Sequence, residues 1–524
     1  MRKIILLISS VLLLNACNKL SVDKEAAELE ASKKSKEADA NALAAKQEST
    51  SFTEIKTIPV GGAGAAEISA YDPATKKLFV VNNSAGNNRI DVFDITNINS
   101  PVTLAPINTV IYGGFVNSVA VSNGKVAAAI EATVKTNNGR VLVFNTTNYS
   151  VIANVVVGAL PDMVTFSPDG NLILTANEGE PNNAYTIDPL GTVSIISVNE
   201  NYSVTTLNFS GFESRAAELK TKGFRLFGKN ASFAQDIEPE YVAISENSKK
   251  AWVTLQENNG MALIDLESKT ITDILPFGFK DYNAPGNTID ASDEPSPLTP
   301  IIEFKSWPVK GMYLPDGIAV LPNNNVPFVF TANEGDQREY TGFNETRRIG
   351  SSSVVLDPTA FPNASTLKMN ANLGRLNITT TLGDTDGDGD FDELYSYGSR
   401  SFSIWHGITG KLLFDSKDML DKKAFEFGKY PNSRSDDKGS EPEGITIGRV
   451  GNKNLVFVGL ERANAVIVFE LSNPQKPTFV QWLNTGVGPE GVLFVPANES
   501  PNGKSLLIVS NEVDGTIKIY TTGL

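Results

Sequence analysis

The residues of this chain best placed to do chemistry are carboxylates that recur at matched positions. Seven segments share one plan: an acid, a β-rich run, a turn, a second run and another acid. Examples are LPDMVTFSPDGNLILTANEGE (160–180), EPEYVAISENSKKAWVTLQEN (238–258) and LPDGIAVLPNNNVPFVFTANEGD (314–336). Aligned, the copies place Glu67, Asn117, Asp162, Glu240, Asp316, Glu443 and Glu490 at the first position. At the second they place Asn83, Glu131, Glu178, Glu257, Glu334, Glu461 and Glu512. The two positions lie one hairpin apart, and the ends of an antiparallel hairpin meet at the same edge of a sheet. Twelve carboxylates are therefore expected to converge. Such a cluster cannot stay ionised in a partly dry funnel without cations, Arg partners or hydrogen bonds. One reading is an axial calcium site or a cation-dependent substrate pocket. The other is that each acid accepts backbone N–H groups of the next repeat and staples the repeats together. Recurrence in every copy favours stapling, since a single site needs few ligands.

A second acidic motif is local. In GDTDGDGDFDELYSYG (383–398), Asp384, Asp386, Asp388, Gly389 and Asp392 match D-x-D-x-D-G-x-x-D. Alternating carboxylates can wrap one hard cation, Gly389 permits the tight turn, and Asp390 is expected to add its backbone carbonyl. An EF-hand would carry Glu at the twelfth position. Tyr395 stands there, so no helix–loop–helix is expected, and the implied cofactor is calcium used for rigidity. The segment GDQREYTGFNETRR (335–348) adds Arg338, Arg347 and Arg348, which either neutralise Glu334 and Glu345 or clamp an anion such as phosphate. Pairing with the acids is the favoured use. The one His of the chain is His406, so paired-His chemistry is excluded and a Ser-His-Asp triad would rest on it alone. The motifs G-x-S-x-G, H-E-x-x-H and G-x-x-x-x-G-K-[ST] are absent from the sequence. His406 is expected to pack beside Trp405.

The elements that must position these acids are strands. In most copies a third run follows, such as RIDVFDI, RVLVFNT, MALIDLE, AVIVFEL and TIKIYTT. Seven copies of a sheet-forming unit, none able to bury its faces alone, predict an all-β, seven-bladed β-propeller with long loop insertions. A β-solenoid fits less well, because the copies are too long and too unevenly spaced. The run FTEIKTIPV (52–60) is expected to pair with the C-terminal TIKIYTT and close the ring, removing an open edge. Successive copies start up to 127 residues apart, against roughly 40–45 in a WD40-type blade. The surplus predicts insertions at about 205–237, 275–312 and 337–394, gathered on one face.

The expected organisation is a signal peptide at 1–16, a lipidated N-terminus and spacer at 17–51, and the propeller at 52–524. Arg2 and Lys3 precede an apolar stretch too short to span a bilayer, as in a secretory signal. Leu14-Asn15-Ala16-Cys17 resembles the lipobox of bacterial lipoproteins, and Cys17 is the one Cys in 524 residues. Residues 18–51 lack aromatics, Pro and Gly, so they read as a helical or flexible tether. The resemblance implies a membrane partner through a lipid anchor and a place in the cell envelope, at the outer membrane or cell surface. A net charge of −15 disfavours nucleic acid and favours cations. A monomer is expected.

The motifs TANEGEP, FGKNASFAQDIEPEY, GFKDYNAPGNTIDASDE, TANEGDQREYTGF, GDTDGDGDFDELYSYGSRSFSIW and GSEPEGI resemble the choice-of-anchor I family from about residue 53 onward. That family includes mesenchyme-specific cell-surface glycoproteins of animals, and its name reflects a shared propeller held by different anchors. Members have been called alkaline phosphatase-like and linked to calcium biomineralisation. Neither association carries over a catalytic residue. The repeats, the calcium loop and the missing catalytic signatures point to a non-enzymatic surface binding or scaffold module for an unidentified protein, glycan or mineral ligand. The alternative is a calcium-dependent hydrolase of phosphoesters or lactones, phytase-like or lactonase-like, using the acidic funnel.

Overall fold

The second run of each repeat is apolar almost throughout, which suits a strand covered on both faces. The structure is a computed structural model that describes residues 49–294, 301–321 and 326–523. In it the runs KLFVVN, LILTAN and LLIVSN form the strands Lys77–Asn82, Leu172–Asn177 and Leu506–Asn511, almost wholly buried. Each is the second of four antiparallel strands. One blade shows the plan: Pro161–Phe166, Leu172–Asn177, Thr192–Ser197 and Ser203–Asn208 pair in that order.

The described residues form seven such blades. Their innermost strands are Ser69–Asp72, Val116–Ser122, Pro161–Phe166, Pro239–Ile244, Ile318–Leu321, Pro442–Val450 and Pro489–Val495, defining blades 1 to 7. Each inner strand lies against the inner strands of both neighbours, so the ring is closed. The N-terminal strand Phe52–Pro59 completes blade 7 by pairing antiparallel with Thr516–Thr522, Phe52 opposite Thr522 and Pro59 opposite Thr516. The expected closure is therefore present. Phe52 fastens it: its N–H donates to Gln481 Oε1 at 2.8 Å, and its ring meets Phe457 edge-on at 5.3 Å.

Seven apolar clusters fill the seven interfaces between blades. Between blades 4 and 5, for example, Trp252 packs with Phe277, Val329 and Trp405. The Trp252 indole N–H donates to the Gly407 carbonyl across that interface at 2.6 Å. Each large side chain so buried contributes about 1.5–3 kcal/mol.

Strand direction alternates, so fourth-to-first and second-to-third connections emerge on one face. All the long insertions use these connections: 209–238, 277–317 and 333–401. The first begins later than the sequence predicts, because Ser203–Asn208 is the outer strand of blade 3. A fourth, at 416–441 with the helix Met419–Glu426, has no sequence signal comparable to the others. Two insertions combine into structure of their own. Strands Phe279–Asp281, Lys310–Met312, Tyr395–Ser396, Asn377–Thr379 and Thr346–Arg348 form a five-stranded sheet over a core that includes Tyr282, Ile349 and Ile378. The signal peptide, Cys17 and the spacer lie outside the described residues.

Candidate functional site: an acidic funnel

Local backbone irregularities aim the first ring of acids. Where each inner strand of blades 2, 3, 4, 6 and 7 begins, its pairing skips the ring position: Asn117, Asp162, Glu240, Glu443 and Glu490 fall in the skipped steps. Such bulges bend the strand and re-aim a side chain, here toward the axis. Two residues before Asp162, Asp316 and Glu443, the backbone takes a positive φ at Leu160, Leu314 and Glu441; Gly488 does so before Glu490. After the acid comes Gly in blades 5, 6 and 7. A Cβ on Gly444 would stand 2.3 Å from the Glu490 carbonyl oxygen, and one on Gly317 would stand 2.4 Å from that of Glu443. Neighbouring inner strands approach too closely there for any side chain.

The second ring is set by a buried polar residue one step earlier. The Asn177 amide donates to the Thr192 carbonyl and Ser194 Oγ, and Asn333 likewise to Ser403 Oγ at 2.9 Å. These bonds fix where the second strand meets the third, and so where Glu178 and Glu334 emerge. The two rings meet at one edge as the spacing predicts, around a cavity of about 320 Å³. Glu67, Asp162, Glu240, Asp316, Glu443 and Glu490 line it from the first ring, and Glu334 and Glu461 from the second. Glu178, Glu257 and Glu512 stand behind that lining.

The charge of the funnel is balanced on one side only. Lys438, 4% exposed, contacts Glu334 at 2.6 Å, Asp336 at 3.3 Å and Glu441 at 3.5 Å. Arg434 and Arg462 add pairs to Glu441, and Arg462 one to Glu461. Burial would raise the Glu334 carboxyl, but Lys438 and Gln256 outweigh it and hold the group below its usual range. Around the rest of the ring, no hydrogen bond reaches the carboxylates of Asp162, Glu178, Glu240, Asp316, Glu443 or Glu490 among the described residues. Burial, then mutual repulsion, pushes Asp162 up to about 7 and Glu67 up to about 8. Glu178, Glu240, Asp316, Glu443 and Glu490 are likewise raised well above the carboxylate range.

The amides that replace acids in the rings help to staple neighbouring blades. Asn83 exchanges two hydrogen bonds with the Val116 backbone, and Asn117 donates to the Pro161 carbonyl at 3.2 Å. Glu131 accepts the Phe115 N–H at 3.2 Å. The unpaired acids staple nothing.

The three arginines singled out in the sequence do not converge on an anion site. Arg338 is 2% exposed and binds Asp236 and Glu238, with its guanidinium 4.5 Å over the Phe227 ring. Arg348 pairs with Asp436, and Arg347 donates to the Thr346 carbonyl. The ion-pair partners of Glu334 and Glu345 are instead Lys438 and Arg225, and Arg338 reaches the Glu345 carboxylate only through its backbone N–H. His406 ends the third strand of blade 5, on the face opposite the funnel. Its Nδ1 accepts the N–H groups of Ile408 and Thr409, so it caps a turn, next to the buried Trp405.

The loop at 384–392 connects two strands of the five-stranded sheet. Oxygens of Asp384, Asp386 and Asp392 lie within 4.8 Å of one another, an oxygen-only set that fits calcium. Gly387 and Gly389 turn the backbone at φ of 84° and 100°. The Asp388 carboxylate accepts the Asp390 N–H, and Asp390 groups with Asp392 and Asp357, a residue the sequence motif does not include. With the loop in that arrangement, Asp384, Asp386 and Asp392 would hold the ion first.

Comparison with known proteins agrees with the motifs. Gigasin-3a of Magallana gigas is 27% identical over 29% of this chain and 66% of that protein. The mesenchyme-specific cell surface glycoprotein of Strongylocentrotus purpuratus is 25% identical over 54% of this chain and 42% of its own length. The chain thus spans less than two thirds of either relative. Among solved structures, the Kuenenia stuttgartiensis hydrazine synthase superposes with a TM-score of 0.46 at 13% identity, over 88% of this chain and 96% of that one. The RRP9 WD40 repeats give 0.49 at 9% identity, over 90% and 100%. The choice-of-anchor I domain model matches residues 67–474, blades 1 to 5 and the first three strands of blade 6, together with all four insertions. The chain belongs to the choice-of-anchor I family.

Proposed function

We propose that the protein is a cell-surface binding module, held by a lipid on Cys17, stiffened by calcium at 384–392, and turned so that the funnel face meets its ligand. The observation that carries this reading is the gathering of all four insertions on the face where the acidic cavity opens. A propeller needs none of them for its core, so their common placement marks that face as the one under functional demand. The name of the sea-urchin relative places that protein at the cell surface, and no helix among the described residues is long and apolar enough to cross a membrane. In this reading the attachment rests on the lipobox-like Leu14-Asn15-Ala16-Cys17. Among the described residues the cavity lining carries no His or Cys.

Three measurements on the full-length chain test the reading. Cys17→Ser is expected to shift the protein from the membrane fraction to the soluble one. Calorimetric titration with Ca²⁺ is expected to show a binding event that Asp384→Asn/Asp386→Asn removes. Neither p-nitrophenyl phosphate nor a simple lactone is expected to be turned over. Turnover that disappears with chelator would overturn the binding-module reading in favour of a calcium-dependent hydrolase.

A further inference from the structure

Three carboxylate clusters in the funnel bring side chains from two neighbouring repeats to within 4.8 Å. They are Asp162, Glu178 and Glu240; Asp316, Glu334 and Glu443; and Glu334, Glu441 and Glu461. The second and third share Glu334, which Lys438 neutralises, and the third also has Arg434 and Arg462. The first has no such partner: among the described residues no Lys or Arg pairs with it and no hydrogen bond reaches its carboxylates. The same architecture thus supplies a built-in cation at two clusters and omits it at the third.

A fourth carboxylate, Glu257, follows the second strand of blade 4, whose inner strand carries Glu240. Glu257 is 8% exposed, and one of its oxygens has no hydrogen-bond partner. Its charge bears on both Glu178 and Glu240. A buried carboxylate oxygen left without a donor costs several kcal/mol unless a cation or proton meets it.

We infer that Asp162, Glu178 and Glu240, backed by Glu257, form a divalent-cation site that bridges blades 3 and 4. The donor set is all oxygen, with no His or Cys, which selects a hard ion of the calcium type. Ligands on opposite sides of calcium, each at about 2.4 Å, stand about 4.8 Å apart, the span these oxygens allow. Asp162 and Glu240 also line the 320 Å³ cavity, so water or a ligand oxygen can complete the coordination shell. The site shares no residue with the loop at 384–392 and goes beyond the function proposed above.

The test uses the full-length protein, stripped with chelator and titrated with Ca²⁺ by calorimetry in two buffers of different ionisation heat. Four forms are compared: wild type, the loop variant Asp384→Asn/Asp386→Asn, the funnel variant Asp162→Asn/Glu178→Gln, and the two combined. The loop variant is expected to keep one calcium equivalent with a buffer-dependent heat, because metal displaces protons from the acids. The combined variant is expected to lose that equivalent or weaken it at least tenfold. A loop variant that binds no calcium, or one whose remaining equivalent survives the funnel substitutions, overturns the inference. A loop variant that binds as many equivalents as the wild type would instead count against the calcium reading of 384–392. Where the funnel variant fails to fold, Glu257→Gln in the loop background replaces it. A several-fold weakening is then expected, and unchanged affinity overturns the site.

Discussion

Lys438 touches three carboxylates, Glu334, Asp336 and Glu441, from a position almost sealed from solvent. Removing one partner of a buried ion pair leaves the other uncompensated, which costs about 3–5 kcal/mol. Lys438→Met should lower the midpoint of urea denaturation by an amount of that order. Adding Glu334→Gln to the same chain should recover part of the loss, since one of the stranded charges is then gone. Strictly additive effects in that cycle would show that the two residues are not coupled. The acids themselves were legible in the sequence because their spacing recurs in every repeat. Lys438 was not, because the ring acid it pairs with, Glu334, lies 104 residues earlier and no periodicity links them. Arg225 is hidden for the same reason, 120 residues before Glu345. The arginines nearest those acids in sequence were expected to pair with them, but propeller contacts join insertions that are distant along the chain.

At the scale of single elements, the bulge and the glycine after it decide where a ring acid points. Gly444→Ala places a Cβ 2.3 Å from a backbone oxygen that cannot move without shifting the inner strand of blade 7. A loss of about 1–3 kcal/mol is expected from overpacking of this kind. Gly62→Ala, which meets nothing within 4 Å, should be close to neutral and serves as the control. Equal denaturation midpoints for the two variants would remove the close approach as the reason for Gly444. The acidic loop yields a different prediction. It joins Asn377–Thr379 to Tyr395–Ser396, so an ion there stiffens the whole five-stranded sheet. Calcium should slow amide hydrogen exchange across 346–396 in the wild type and not in Asp384→Asn/Asp386→Asn. Exchange insensitive to calcium in the wild type would exclude a structural ion. The strands, the closure and the shared face of the insertions were readable from alternation and turn residues. The sheet built from two insertions was not, because its short strands pair across about 85 residues and leave no repeat to align.

For the whole molecule the decisive quantity is how many protons the funnel holds. Glu67 and Glu461 are raised by burial to about 8 and about 7, whereas in the unfolded chain a Glu titrates near 4.3. Between those values the folded protein retains protons that the unfolded chain has already released. Stability then changes with pH by the difference in bound protons, and here the unfolded state holds fewer. The metal-free protein should accordingly lose stability as pH rises from about 5 to about 8, by up to about 1.4 kcal/mol per pH unit for each proton retained. This is opposite to the acid lability of proteins whose carboxylates sit in ion pairs, a trend that Glu334, held low by Lys438, contributes only as pH falls through the ordinary carboxylate range. Melting curves in chelator across this range should therefore fall toward alkaline pH, with Glu67→Gln making the fall shallower. A midpoint that rises steadily from pH 5 to pH 8 in chelator would mean that the acids are ionised and compensated from within the fold. Excess Ca²⁺ should flatten the curve, because an ion that replaces the protons removes the difference between the two states.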